Sequence, residues 1–402
     1  MSNASYLFRG VVYRPDDAAF ASFLNNAHNE PDRPVCQCRT PGLEMYVAKV
    51  GTQHYIKRMP NTGGLHHPEC DSYEPPPELS GLGEVAGSAI QTNTKDGITT
   101  LKFDFALSKG AGRAAPATTG AEKSTVKSDG KKLTLRGALH YLIDQAGLSR
   151  WSPAMAGKRN WYIFRKYLLE AAADKAVKGN ALGNNLFVPE SFSLERKSEI
   201  NQRRNELFAQ LKVSERSARK LMILVAEVKE FAPARFGKKL IVKHMPDSFF
   251  MLDDALYKRL DKRFHAEMAL WSAHEGSHLM IAATFGVGPE GIAGLEEASL
   301  VLTNENWIPY ETTDEKELLN ALNGRRYVKG LRYNLPSTKP LASVVLADTE
   351  PPTALYIIPS DVDEAFTEEL ETLQQESNVA SWNWAPANEP MPPLPAPRSS
   401  AA

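Results

Sequence analysis

Cysteine is scarce in this chain, with three copies in 402 residues. An odd count excludes a fully paired disulfide framework, and Met1–Val12 holds no apolar core of signal-peptide length. No hydrophobic run approaches a membrane span, which excludes a helical membrane protein. Three glycine signatures are also missing: the Walker loop, the Gly-x-Gly-x-x-Gly dinucleotide fingerprint and the Gly-x-Ser-x-Gly elbow. Their absence removes the usual nucleotide-cradling and serine-hydrolase readings. A cytoplasmic protein is the expectation. At 42% apolar and 24% charged residues the composition is that of an ordinary globular chain, long enough for two or three domains.

The three cysteines all fall within 35 residues. Cys36-Gln37-Cys38 is followed by His66-His67-Pro68-Glu69-Cys70, so three thiolates and one imidazole are available. That is a complete donor set for a closed, structural zinc site. The predicted ligands are Cys36, Cys38, His66 and Cys70, with His67 an alternative that spacing does not separate from His66. Between the two halves, Met45–Val50 and His54–Met59 are β-rich runs joined by Gly51-Thr52-Gln53. One ligand pair before a hairpin and one after it reads as a zinc ribbon.

The pattern along the chain predicts an α+β fold. A zinc-ribbon module covers 1–105, a flexible basic linker 106–130, and a basic helical module 131–214. A mixed α/β domain fills 215–380, and a Pro-rich, disordered tail takes 381–402. Helices are expected from Leu133, over Gly157–Ala173 and over Leu194–Leu211. Strands are expected at Leu221–Ala226 and Lys239–His244, and a helix capped by Asp253 runs to Ala273. Later strands fall at Leu300–Thr303, Ser343–Leu346 and Leu355–Ile358, with helices near Asp314–Leu322 and Asp361–Glu376.

A net charge of −1 conceals an asymmetry, because Lys102–Lys178 carries 15 Lys and Arg against 6 Asp and Glu. Such a basic stretch on a near-neutral chain points to phosphate. Lys158, Arg159, Arg165 and Lys166, placed on one helix, are the predicted nucleic-acid contacts. Arg325 and Arg326, interleaved with Tyr327 and near Lys329 and Arg332, form a second cluster. The partner class is DNA or RNA, with no membrane.

Two patterns suggest chemistry. His274-Glu275-Gly276-Ser277-His278 would place two imidazoles on one helix face, with Glu275 as general base and Glu297 as third ligand, as in a gluzincin-type zinc peptidase. On a strand the same residues would lie too far apart to share an ion. Glu227-Val228-Lys229 after an apolar strand, with Glu315 opening a later helix, echoes restriction-type nucleases. Ser343 and Tyr356 stand where such enzymes carry carboxylates, so that reading is of an inert binding domain.

Cys36-Gln37-Cys38, Ile56-Lys57-Arg58-Met59-Pro60 and His66-His67-Pro68-Glu69-Cys70 with Ser72-Tyr73-Glu74-Pro75-Pro76 resemble the bacterial domain-of-unknown-function family 1173. The likeness continues through Gly157-Lys158-Arg159-Asn160-Trp161, Lys243-His244-Met245-Pro246-Asp247 and Lys329-Gly330-Leu331-Arg332-Tyr333. It implies a protein of conjugative elements and plasmids with no assigned activity, and its description rests on three N-terminal cysteines.

Overall fold

A five-stranded sheet opens the chain in the computed structural model, which describes residues 4–50, 52–60, 62–93, 97–109, 131–212 and 219–398. Its strands are β1 (Tyr6–Phe8), β2 (Val11–Tyr13), β3 (Val35–Cys36), β4 (Leu43–Val50) and β5 (Gln53–Arg58), ordered β2-β1-β3-β4-β5. The expected hairpin is β4–β5, and Gln53 belongs to the second strand, paired with Val50. Helix α1 (Phe20–His28) buries Phe23, Leu24 and Ala27 against Tyr6, Phe8, Cys36 and Met45. The module is therefore larger than a ribbon: it has an apolar core of its own beside the cysteines.

The expected linker over 106–130 lies mostly outside the described residues. Ser108–Lys109 at its start pairs with Arg219–Lys220. The helical stretch contributes α2 (Leu135–Gln145) and α3 (Trp161–Ala172), and a further helix, α4, follows at Lys197–Leu211. Thr134 and Asn160 cap α2 and α3 through side chains that accept the amides of Gly137 and Ile163. These helices do not enclose a core alone. Leu139, Phe164 and Leu168 pack on Ile223, Val225, Met280 and Val301 of the following sheet.

That sheet closes on itself. β6 (Met222–Pro233), β7 (Lys238–Val242), β8 (Phe250–Leu252), β9 (His278–Val287) and β10 (Ala293–Thr303) form a barrel in the order β6-β7-β8-β10-β9, and β9 returns to β6. Among these five strands every pairing is antiparallel except β8 with β10, and the short strand Leu186–Phe187 adds a parallel pairing to β6. The continuous apolar run of β6 follows from this closure. Leu224, Ala226 and Val228 point into the barrel, while Ile223 and Val225 meet the helices outside. Between β8 and β9 lie α5 (Asp254–Arg263) and α6 (His265–Ala273). Asp253 accepts the Leu256 amide as the expected cap, and the helix breaks at Phe264.

The chain ends in a second mixed sheet. Helix α7 (Thr313–Ala321) precedes β11 (Tyr327–Lys329), β12 (Val344–Leu346) and β13 (Thr353–Ile357); α8 (Glu364–Glu376) then crosses to β14 (Ala380–Trp384). The order is β14-β13-β12-β11, with β14 parallel to β13, and Arg150–Trp151 adds a short edge strand beside β11. The disordered tail predicted over 381–402 requires correction up to residue 398. Residues 381–384 complete β14, and beyond them the carbonyls of Pro393 and Pro395 accept from Trp382 Nε1 and Arg325. Proline lacks an amide donor but keeps its carbonyl, so an extended proline segment docks through its acceptors.

Candidate metal centre

Strand β3 sits between β1 and β4, with Cys36 opposite Tyr6 on one side and Leu43 on the other. Cys38 follows two residues later. Past the β4–β5 hairpin, a 3-10 turn at Gly63–Leu65 delivers His66, and the Cys70 amide closes a turn on the His67 carbonyl. One donor atom from each of Cys36, Cys38, His66 and Cys70 comes within 4.8 Å of all the others. Cys36 Sγ and Cys70 Sγ are 3.8 Å apart, and His66 Nδ1 lies 3.3 Å from Cys38 Sγ and 3.7 Å from Cys70 Sγ. Metal–sulfur bonds of about 2.3 Å in a tetrahedron put two sulfurs about 3.8 Å apart. A disulfide would need about 2.05 Å, and all three cysteines are free.

The surroundings favour one thiolate, Cys70. Cys38 Sγ accepts the His67 amide at 3.5 Å and Cys70 Sγ accepts the Ser72 amide at 3.4 Å. The thiol hydrogen bond from Cys36 and the neighbouring His66 hold the Cys70 thiol well below its ordinary range. That same hydrogen bond to Cys70, with burial, pushes the Cys36 thiol up, and burial raises Cys38. Three crowded sulfurs cannot all ionise without a cation among them. His66 is 2% exposed, and its buried Nε2 has no hydrogen-bond partner among the described residues. His67 points elsewhere, with Nδ1 accepting the Glu69 amide and Nε2 3.2 Å from Arg398. The choice between the two histidines that spacing leaves open is thus made by packing.

The other predicted sites fare differently. Helix α3 begins at Trp161, so Lys158 and Arg159 sit in the turn before it and not on its face. The Arg159 guanidinium turns inward to the carbonyls of Leu148, Arg150 and Asn306, and Arg165 Nε donates to Val188 O. Lys158 and Lys166 are exposed. In the second cluster Arg325 makes a two-pronged pair with Asp348, both contacts at 2.8 Å. Arg332 bridges Glu311 and two carbonyls, and Lys329 is buried against Glu315 at 2.7 Å. Arg326 remains exposed.

The peptidase pattern is not helical. Helix α6 stops at Ala273, Gly276 turns the chain at φ +81°, and His278 opens β9. His274 Nδ1 lies 3.1 Å from Tyr310 Oη, whereas His278 Nδ1 lies 2.6 Å from Glu227 Oε1. The imidazoles are aimed at different partners, and among the described residues the only cluster of three or more metal-ligating groups is the N-terminal one. Glu227, mid-strand and 3% exposed, also receives Lys243 at 2.5 Å. Burial alone would raise its carboxyl; the His278 and Lys243 hydrogen bonds bring it below the ordinary value. Ser343 and Tyr356 are both buried, on or beside β12 and β13, and the Tyr356 hydroxyl has no hydrogen-bond partner among the described residues.

Fold and site together define a mixed helix-and-sheet protein with a possible metal-binding Cys3His cluster near its start, and no described helix is long and apolar enough to cross a membrane. The chain belongs to the family described as "Protein of unknown function (DUF1173)", whose model matches residues 8–387. No curated protein and no solved structure matches it.

Proposed function

We propose that this protein is an accessory factor of a bacterial mobile element, held in shape by a structural zinc ion and contacting nucleic acid from the cytoplasm. The four-donor cluster carries the reading. Three thiolates and an imidazole suit a borderline-soft, tetrahedral ion such as zinc. Cys36 and His66 are almost wholly buried, and four protein donors leave no coordination position for a substrate. The role is therefore scaffolding, tying β3 to the turn that follows the hairpin. Nucleic-acid contact draws its support from the basic stretch: Lys158 and Lys166 are exposed without a carboxylate partner among the described residues, beside Tyr162 at 61% exposure. The mobile-element setting comes from the family resemblance.

The test is metal content and oligonucleotide binding on the purified chain. One zinc per chain, lost in Cys70→Ser, supports the scaffold, and a metal-free native protein overturns it. Binding should fall steeply with salt and weaken in Lys158→Ala/Lys166→Ala. Affinity indifferent to salt and to those substitutions removes the nucleic-acid part.

A second reading, an inert nuclease-like binding domain, is favoured by one observation. The sequence α7-β11-β12-β13-α8-β14, with β14 parallel to β13, is the αβββαβ arrangement of restriction-type nucleases. Ser343 and Tyr356 replace its metal-binding carboxylates, so the domain would hold a strand without cutting it. Cation-dependent cleavage by the purified protein would refute the inert form.

A further inference from the structure

The barrel formed by β6–β10 has a specific connectivity. Strands one to three run as an antiparallel meander, helices α5 and α6 follow, and the fifth strand pairs parallel to the third while the fourth returns to the first. The first strand is long and carries an irregularity between Val228 and Glu230, where it leaves β9 for β7. This is the Greek-key barrel of the OB type. Topology alone assigns no ligand, so the side chains on its open face decide.

That face lies across β7 and β8, between the β6–β7 turn and the β9–β10 loop. At the turn, Phe236 is 75% exposed with the Arg235 guanidinium 5.4 Å from its ring. Gly237 at φ +73° packs so closely on the Leu252 carbonyl that a Cβ would lie 2.0 Å from it, which fixes the turn against the end of β8. Leu240 and Val242 fill the barrel, and Lys239, just before Leu240, faces out, its ammonium 4.7 Å from the ring of Phe249, itself 38% exposed. Lys238, opposite buried Leu252, points the other way, over Tyr257 of α5 at 5.1 Å, and is not part of this face. Across the face, Ile292 in the β9–β10 loop is 49% exposed.

Charge points to the occupant. From Lys229 to Lys239 there are four cations and one carboxylate. None of the four is in an ion pair with a described residue, whereas Lys243, Arg203, Arg325 and Arg332 elsewhere are all paired. Exposed aromatic rings alternating with unpaired cations match a chain of bases and phosphates: rings stack on bases and cations meet phosphates. A duplex hides its bases from a ring at a turn tip, and an apolar protein partner would leave the cations unpaired.

We propose that the β7–β8 face of this barrel is a binding site for single-stranded nucleic acid, with Phe236 and Phe249 as stacking platforms and Arg235 and Lys239 on the phosphates. The proposal rests on the nucleic-acid reading above and relocates its main contact from α3 to the barrel.

The experiment measures anisotropy of fluorescein-labelled oligothymidylate and oligouridylate with the full chain, at two salt concentrations, against an unlabelled duplex competitor. Both single strands should bind, and the duplex should compete poorly. Phe236→Ala should weaken binding about tenfold, the order of one lost base stack. Arg235→Ala/Lys239→Ala should weaken it and flatten the salt dependence. Both are surface changes, and an unaltered thermal melt shows that the variants fold. Salt-sensitive binding that survives these changes but is lost in Lys158→Ala/Lys166→Ala overturns the barrel site and leaves the broader reading standing. Absence of binding to either strand removes both.

Discussion

Glu227 Oε1 and His278 Nδ1 meet at 2.6 Å across adjacent strands β6 and β9. The two residues come from separate motifs, each suggestive of a different enzyme, and the fold spends them on each other. The His278 ring also lies flat on Trp307, with centroids 4.0 Å apart. Replacing His278 with Ala would leave a carboxylate at 3% exposure held by Lys243 alone. The expected loss is about 1.5–3 kcal/mol, that of one hydrogen bond to a buried charged group, because Lys243 still compensates the carboxylate. Denaturant unfolding of His278→Ala measures it, and a midpoint equal to the parent's would refute the pairing.

Metal content separates the histidines. On the zinc reading, His66→Ala should lose the ion, and with it the ordering of the N-terminal module, while His67→Ala and His274→Ala should each keep one ion per chain. Elemental analysis after dialysis reads this directly. Retention in His66→Ala with loss in His67→Ala would reverse the assignment made from packing.

His140 gives the stability a pH dependence. It is 3% exposed, its Nδ1 accepts the Tyr333 amide, and burial with the nearby Arg136 holds it neutral down to about 3. Lys329 and Arg332 also disfavour its charge, and Glu311 opposes them. The unfolded histidine binds its proton near pH 6.5 and the folded one does not, so the unfolded state carries more protons between those values. Stability should therefore be full above about pH 6.5 and fall below it, approaching about 1.4 kcal/mol per pH unit from this group. His140→Asn, which can keep an acceptor for Tyr333, should flatten the melting temperature between pH 6.5 and 5. An unchanged slope would show that other groups dominate.

Two adjacent cations should behave oppositely. Arg159 donates to three carbonyls from inside the turn before α3. Arg159→Ala strands those acceptors and should cost about 2–3 kcal/mol, whereas Lys158→Ala, on the surface, should stay within about 0.5 kcal/mol. Equal melts for the two variants would contradict the placement.

Local chemistry made part of this protein legible. Cys-x-Cys, a β-rich hairpin and a His/Cys turn are contiguous features, and a possible metal-binding cluster flanking a hairpin is specified by donor spacing within a short stretch. Capping was readable for the same reason: Asp253 needs only the amide three residues on. The apolar run at 221–226 also announced a buried strand, because a strand covered on both faces has no polar phase.

Tertiary structure alone decided the rest. Whether His274 to His278 formed a helix depended on β9 pairing with β6 far upstream and with β10, where His278 pairs with Thr303, and that pairing pulled His278 out of any helix. Arg159, Arg165, Arg325 and Arg332 looked like Lys158 in sequence, yet burial turned them to carbonyls and carboxylates supplied by distant segments. The proline tail lacked hydrophobic periodicity, so its docking on Trp382 and Arg325 left no local trace. Barrel closure likewise depends on pairings between strands far apart in the chain. The sequence by itself determined which groups could bind a metal or an anion; only long-range packing determined which of them were free to do so.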